Sequence, residues 1–276
     1  MRWTPGDRSN IDDARGRTGG RAVPLGIGGF VVLLLLSWAT GTDFLSLFTQ
    51  ASPTESVGTS GDVTSTPAEE RMVDFVDAVT NDAQDTWATL MGSRYRRTQV
   101  VLFRDAIQSA CGAAGAATGP FYCPGDQKVY LDLGFFEELD KRFGAPGDFA
   151  QAYVITHEIG HHVQNLLGLG VGAPSRPGAD SASVAIELQA DCFSGVWGHA
   201  ASANGRFEAG HVQLEPGDAD EAIRAAGAIG DDRLQKMATG RVMPDRFTHG
   251  SSAQRVEAFK RGFDSGDPRA CENAGR

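Results

Sequence analysis

An uncharged apolar run near the N-terminus most constrains what this chain can fold into. The run extends from Ala22 to Ala39, and a second apolar stretch, Phe44–Phe48, lies just beyond Asp43. A helix that spans a bilayer needs about 20 apolar residues, with a lower limit near 17. We therefore predict a single transmembrane anchor over residues 22–48, followed by a much larger C-terminal part.

The two sides of this run differ in charge. Residues 1–42 hold five arginines and three aspartates, so the remainder carries 20 basic and 32 acidic side chains within a total net charge of −10. Basic flanks stay in the cytoplasm, which predicts a cytoplasmic tail over residues 1–21 and an extracytoplasmic C-terminal part. The alternative is a secreted protein, because Ser37-Trp38-Ala39 resembles a signal-peptide cleavage site. The acidic balance argues against nucleic acid as a partner, since phosphate binding needs clustered Lys and Arg.

After the anchor the composition changes twice. Residues 49–66 are rich in Ser, Thr, Gly and Pro and show no apolar period, which is typical of a flexible linker. A helix start follows, with Thr66 at the cap, Pro67 at the first helical position and Glu69 at the third. We predict that one folded domain occupies residues 67–276.

Four cysteines lie in the predicted extracytoplasmic part. An even number in an oxidising compartment favours disulfides. A local bridge between Cys111 and Cys123 is plausible, and a bridge between Cys192 and Cys271 would tie the C-terminus to the core. The alternative is buried free thiols, because an unpaired cysteine often packs as a small apolar residue.

The chemistry centres on the segment His157-Glu158-Ile159-Gly160-His161. It lies in a predicted helix over Phe149–Leu167, which Asp148 and Gln151 would cap and Gly168 would close. Residues four apart share a helical face, so the two imidazoles can meet one metal ion. Glu158 lies on the adjacent edge, where it can reach a metal-bound water without being a ligand. This arrangement is what metal-assisted hydrolysis requires.

A second helix, predicted between Ser183 and Trp197, supplies an acidic pair. Glu187 and Asp191 are also four residues apart, and their neighbours are small or aliphatic, so unpaired carboxylates there would be costly. Glu187 can complete a His/His/Glu site with one open position, and Asp191 can orient a ligand histidine through a hydrogen bond.

Together these segments resemble the gluzincin arrangement of zinc peptidases, His-Glu-x-x-His followed by Glu-x-x-x-Asp on a second helix. More closely, the chain resembles the bacterial family described as "Putative neutral zinc metallopeptidase", over nearly its whole length. The residues that carry the resemblance are Arg8-Ser9-Asn10-Ile11-Asp12-Asp13, Gly119-Pro120-Phe121-Tyr122-Cys123-Pro124, Ala152 to Gln164, Glu187-Leu188-Gln189-Ala190-Asp191-Cys192, Ile229-Gly230-Asp231-Asp232 and Thr248-His249-Gly250-Ser251-Ser252-Ala253-Gln254-Arg255. The departures, Phe193 and Ser251 where Tyr and Thr are commoner, touch no ligand.

The resemblance implies a membrane-anchored zinc metallopeptidase that hydrolyses peptide bonds outside the cytoplasm. One Zn²⁺ would be held by His157, His161 and Glu187, with Glu158 as general base and then general acid. His249 is the candidate donor to the oxyanion, and Tyr153 is a weaker one. His249 could instead cap the helix that begins near Ser251.

The expected architecture is a mainly helical α+β, zincin-like domain. It has a small sheet near residues 95–135, the two metal helices, and further helices from Asp218 and Ser251. The alternating segment Val129–Leu133 predicts a strand, and Tyr130–Leu133 could be the edge along which an extended peptide pairs.

Three histidines are left outside the predicted site. His162 points about 100° away from His161 around the helix, which indicates a packing or surface residue. His199 is expected in the core, and nothing distinguishes His211.

Two other functions stay open. One is a catalytically inactive, zinc-stabilised binding or scaffold module of the cell envelope. The other is hydrolysis of a substrate other than an ordinary peptide, such as cell-wall cross-links or a small-molecule amide.

Overall fold

The computed structural model describes residues 1–16, 63–115, 118–169, 176–207 and 211–274. Met1–Ala14 and Ser65–Arg276 form one compact unit, and Arg15–Thr64 form a second unit that lies almost wholly outside the described residues. The predicted anchor over 22–48 and most of the predicted linker are outside them as well. Among the helices of the described ranges, none is both long and apolar enough to cross a membrane.

The larger unit is mainly helical with a small sheet, an α+β architecture as predicted. Its strands are β1 (Ile11–Asp13), β2 (Val100–Phe103), β3 (Ala106–Ser109), β4 (Gly112–Gly115), β5 (Phe121–Cys123) and β6 (Lys128–Asp132). Its helices are α1 (Pro67–Met91), α2 (Gly134–Lys141), α3 (Asp148–Leu166), α4 (Ala182–Ala201), α5 (Asp218–Ala228), α6 (Asp231–Thr239) and α7 (Ser252–Ser265).

Four strands form a mixed sheet in the order β1-β2-β6-β5. β1 and β6 run parallel to β2 on its two sides, whereas β5 runs antiparallel to β6. β3 and β4 form a separate antiparallel hairpin. The predicted strand over Val129–Leu133 corresponds to β6, but its assignment as the exposed edge is wrong. Its central residues are buried between two neighbouring strands, and β5 is the edge on that side.

The first residues of the chain belong to the folded unit. Ile11 pairs with Val100 in the sheet, and the Arg8 guanidinium makes a 2.6 Å ion pair with Glu70 of α1. The prediction of residues 1–21 as a segment separate from the folded domain therefore does not describe Met1–Ala14, which belong to the same compact unit. A strand of three residues is too short to show a period, and its partner lies almost ninety residues away. β1 is thus part of one continuous sheet with β2, β6 and β5.

The capping residues predicted from the sequence are correct for α1 but wrong for α3. Thr66 accepts a hydrogen bond from the Glu69 amide and Pro67 opens α1, as predicted. At α3 the predicted cap is wrong, because Gly147 takes the N-cap position with a φ of 119°, which favours glycine. The Glu221 carboxylate of α5 accepts the Phe149 amide at 3.1 Å instead. A distant acid thus replaces the expected local one.

The core is formed where α3 crosses α4 and where α7 packs on α4. Gly160 of α3 meets Ala190 so closely that an added Cβ would lie 3.0 Å from the Ala190 carbonyl oxygen. At Gly262 of α7 a Cβ would collide with the Cys192 carbonyl oxygen. The largest fully buried side chains include Trp87, Trp197, Tyr153, Phe149, Phe259, Leu102 and Leu131. The two close approaches fix the helices that carry the site described below.

Both predicted disulfides are present. Cys111 is bonded to Cys123, which joins the hairpin to β5, and Cys192 is bonded to Cys271, which joins the C-terminal segment to α4. The alternative of buried free thiols is therefore wrong.

Candidate metal centre

The metal-ligand candidates meet where α3 faces α4. His157 and His161 stand four residues apart on α3, with their ring centroids 4.8 Å apart. Glu187 of α4 lies opposite, its carboxylate oxygens 3.2 Å from His157 Nε2 and 3.6 Å from His161 Nε2. One ligand atom from each of the three side chains lies within 4.8 Å of the other two. The structure therefore brings together the three predicted ligand residues.

The other nitrogen of each histidine is held by a hydrogen-bond acceptor. His157 Nδ1 lies 2.8 Å from Asp191 Oδ1, and His161 Nδ1 lies 2.8 Å from Gln164 Oε1. The Gln164 amide nitrogen donates to the Ile186 carbonyl and to Gln189, which leaves its oxygen as the acceptor. Both Nδ1 atoms therefore carry the proton in the neutral rings, and both Nε2 atoms present lone pairs towards Glu187.

This donor set fits zinc. Two imidazole nitrogens and one carboxylate are the protein ligands of a common type of catalytic zinc site, which keeps a fourth position open. Partners that orient the ligand histidines are also typical of such sites. Asp191 was predicted to have this role, whereas Gln164 was missed. A glutamine three residues after a histidine on a helix is the only local signal that could have identified it.

Asp191 is itself held by Arg255 of α7. The guanidinium donates from Nε to Oδ2 and from Nη2 to Oδ1 of Asp191, both at 2.9 Å. Tyr153 adds a third donor, since its hydroxyl lies 2.5 Å from Asp191 Oδ1. All three side chains are buried. The phenolic proton of Tyr153 is thus directed to Asp191, which argues against Tyr153 as a donor to an oxyanion.

The charges of this cluster stabilise positive charge at the imidazoles. Burial opposes ionisation of the Asp191 carboxyl, but Arg255 and His157 hold its pKa at about 2. Burial would lower the pKa of His157, yet Asp191 and Glu187 raise it to about 10. The pKa of His161 is raised as well, against its burial, chiefly by Glu187. A divalent cation supplies the positive charge that this set of carboxylates favours.

A cavity of about 480 Å³ opens over the three ligand residues. Glu158 lines it next to them and is 7% exposed. The wall of the cavity is largely apolar and includes the side chains of Phe121, Phe135, Phe143, Val154, Ile229 and Leu234. Phe121 and Tyr122 of β5 are among the lining residues, so the last strand in the sheet order borders the site.

His249 lines the same cavity from the loop before α7. The Asp231 carboxylate fixes this loop, because its Oδ2 accepts the amides of Thr248, His249 and Gly250 at 2.6, 2.7 and 3.1 Å. Asp231 Oδ1 also lies 3.4 Å from His249 Nδ1. The N-cap of α7 is Ser251, so the cap alternative for His249 is wrong.

The remaining histidines lie away from the ligand atoms. His162 is fully buried on the far side of its helix, as a packing residue should be. The expectation of His199 in the core is wrong, since its ring is exposed and is held at 2.7 Å from the Phe263 carbonyl oxygen. His211 pairs with the buried Asp82 at 3.1 Å.

Sequence comparisons agree with the geometry. The chain is 41% identical over 300 aligned positions to the uncharacterised protein YpfJ of Escherichia coli K12, covering all of this chain and 99% of the relative. An uncharacterised Mycobacterium tuberculosis protein is 44% identical over 202 positions, which cover 71% of this chain and 69% of the relative. No solved structure matches. The model of the family described as "Putative neutral zinc metallopeptidase" matches residues 1–274, and the chain therefore belongs to that family.

Proposed function

We propose that the protein is a zinc-dependent peptidase that cleaves peptide bonds in the cavity over His157, His161 and Glu187. The observation that carries this proposal is the position of Glu158, an acidic side chain that lines the cavity beside the ligands. A metal site that served only stability would have no use for a carboxylate at this place. Zinc, when bound, supplies a Lewis acid that activates water and polarises a carbonyl group.

The side chains of the cavity have distinct roles in the proposed reaction. Glu158 accepts the proton of the attacking water and passes it to the leaving amine. His249 donates a hydrogen bond to the developing oxyanion from Nε2, in the tautomer whose Nδ1 accepts the Thr248 hydroxyl at 2.8 Å. The Asp191–Arg255 pair keeps the His157 ring in one tautomer and one orientation.

The shape of the cavity suggests how an extended peptide is held. β5 pairs only with β6 among the described strands, so its other edge can accept a peptide as an additional strand. The aromatic and aliphatic wall favours an apolar side chain beside the cleaved bond. We therefore expect cleavage next to large apolar residues.

The disulfides support a location outside the cytoplasm, because such bonds persist in oxidising compartments. Removal of a signal peptide after Ala39 would also remove β1 from the sheet. A single crossing by residues 22–48 would separate β1 from β2. We therefore propose that the whole folded unit, β1 included, is extracytoplasmic and that residues 22–48 attach it to the membrane surface.

The test compares wild type with Glu158→Gln in metal content and in cleavage of an unbiased peptide library. The full chain is used, and exposed Glu138→Gln is the matched control. We expect about one zinc per chain in all three proteins and a fall in cleavage of about 10²- to 10⁴-fold in Glu158→Gln only. If wild type binds zinc but cleaves no peptide, the peptidase proposal fails and the inactive, zinc-stabilised scaffold module becomes the better explanation. Mass spectrometry of products from envelope material would reveal a different amide substrate.

A further inference from the structure

His162 joins the metal helix to the strand at the edge of the sheet. Its Nδ1 lies 3.0 Å from the hydroxyl of Tyr122 on β5, and its Nε2 lies 2.6 Å from the carbonyl oxygen of Arg96. Asn165, one turn further along α3, donates its amide to the same Tyr122 hydroxyl at 3.0 Å. His162 is fully buried and Tyr122 is 7% exposed.

The direction of each hydrogen bond follows from the partners. The Arg96 carbonyl can only accept, so His162 Nε2 carries the proton and His162 Nδ1 is the acceptor. The Tyr122 hydroxyl therefore donates to Nδ1 and accepts from Asn165. Both ring nitrogens of His162 and the Tyr122 hydroxyl are hydrogen-bonded, so the network restrains the position of Tyr122.

The network joins the two parts of the cavity that a peptide would contact. His161, next to His162, is a ligand residue on α3, and Tyr122 belongs to the strand that borders the cavity. The Tyr95 and Tyr122 rings lie with their centroids 5.8 and 5.5 Å from the His162 ring. His162 is hydrogen-bonded to Tyr122 of β5, one of the lining residues of the cavity.

We propose that His162 is a positioning residue that sets the place of the β5 edge relative to the zinc ligands, so that a peptide paired with β5 reaches the metal in register. This inference rests on the proposed function for its substrate, an extended peptide. Without the bond to Tyr122, β5 can shift while the ligands on α3 and α4 keep their own contacts. The protein then loses affinity for peptides, and loses more for longer ones, while a group that binds only at the metal keeps its affinity.

The test measures the affinity for inhibitors, so its result does not depend on whether the protein hydrolyses peptides. Zinc-loaded full-length protein is titrated with leucine hydroxamate and with four-residue hydroxamates of leucine and alanine, and the dissociation constants are obtained by calorimetry. Wild type should bind the best four-residue compound about tenfold or more tightly than the single residue, because strand pairing adds main-chain hydrogen bonds. We call this ratio of the two affinities the gain. In His162→Phe the gain should fall to about threefold or less, while the affinity for leucine hydroxamate stays within about threefold of wild type.

Three further variants separate positioning from general stability. His162→Asn retains an acceptor near the place of Nδ1 and should restore most of the gain. Tyr122→Phe removes the same hydrogen bond from the strand side and should lose the gain, which provides the test if His162→Phe does not fold. Trp197→Phe deletes a 2.8 Å hydrogen bond to Asp82 elsewhere in the core and should keep the gain in full.

The proposal is overturned by any of three results. These are an undiminished gain in His162→Phe and Tyr122→Phe, an equal loss in Trp197→Phe, or a wild type that binds long and short hydroxamates equally well. If the gain behaves as expected but no peptide is cleaved, the positioning role of His162 stands and the peptidase proposal falls.

Discussion

Asp191 is the central hydrogen-bond acceptor of the metal centre. It accepts one hydrogen bond from a ligand histidine, two from Arg255 and one from Tyr153. A neutral amide at this position would leave the buried guanidinium without its counter-charge and would no longer offer two acceptor oxygens.

Replacing Asp191 by Asn should weaken zinc binding by about 10- to 100-fold, because partners that orient a ligand histidine have effects of this size. The measurement is competition for zinc with a chromophoric chelator at neutral pH. Asp220→Asn, a change at an exposed acid, should leave the affinity unchanged. Equal affinities in Asp191→Asn and wild type would contradict the role assigned to Asp191.

Asp231 should make stability depend on pH in acid solution. The pKa of its carboxyl is lowered because His249 and the backbone amides of the loop bond to it, which outweighs its burial. A lowered folded-state pKa contributes stability that is present above the unfolded value of about 4 and is lost as the pH falls through the folded value. Asp231→Asn should therefore be about 2 kcal/mol less stable than wild type at pH 7, and the difference should shrink below about pH 4.

Urea unfolding of both proteins at pH 7, 5 and 3.5 provides this measurement. A difference that stayed constant across the series would show that the carboxylate charge is unimportant for the loop.

Removal of His249 by His249→Ala should reduce hydrolysis without a comparable loss of stability, since its ring is half exposed.

The metal ligands could be predicted from the sequence because helical spacing alone puts His157 and His161 on one face. Glu187 and Asp191 follow the same rule on α4, the helix directly after α3. The roles of Gln164, Arg255 and Asp231 depend on contacts across the fold. Arg255 lies 64 residues from its partner Asp191, and no local pattern encodes that distance.

At the level of elements, the two disulfides should differ in what they contribute. Cys192–Cys271 closes a loop with a sequence separation of 79, whereas Cys111–Cys123 closes one of 12. In the chain-entropy account, these loops correspond to about 4.5 and about 3 kcal/mol of stabilisation. The longer loop costs the unfolded chain more entropy when it is closed.

The paired variants Cys192→Ala/Cys271→Ala and Cys111→Ala/Cys123→Ala allow a direct comparison by urea unfolding. The first pair should lose more free energy of unfolding than the second. The second should mainly affect the β3–β4 hairpin and the adjoining strand, which hydrogen exchange would reveal. An equal loss in both pairs would argue that native contacts, and not loop closure, dominate.

Sequence patterns located most long helices and one strand of the sheet, but not how the elements are ordered in space. The start of α1 was predicted from Thr66 and Pro67, which act locally. The edge of the sheet was assigned to β6 when it belongs to β5, because alternation of residue types does not reveal which neighbours a strand has. The short elements β1, α2 and α6 lack enough residues to show a period.

Across the whole molecule, the placement of β1 determines which topologies are possible. Residues before and after the second unit belong to one sheet, so we expect both to lie in one compartment. Cysteines introduced at Thr4 and Ser202, both exposed, should react alike with a membrane-impermeant maleimide in intact cells. Permeabilised cells provide the control, in which both sites are labelled. Labelling of one site and protection of the other would contradict the shared compartment.

The position of β1 also decides how a smaller version of this protein should be made for crystallisation. Cutting the chain at the start of α1 would discard one edge of the sheet and expose β2. The described residues on either side of segment 17–62 both lie near β2: the Ala14 amide donates to the Leu102 carbonyl at 2.8 Å, and Arg104, two residues further along, pairs with Glu69 in the first turn of α1. Excising residues 17–62 and joining the ends with a short Gly/Ser linker should therefore yield a complete sheet in a soluble fragment.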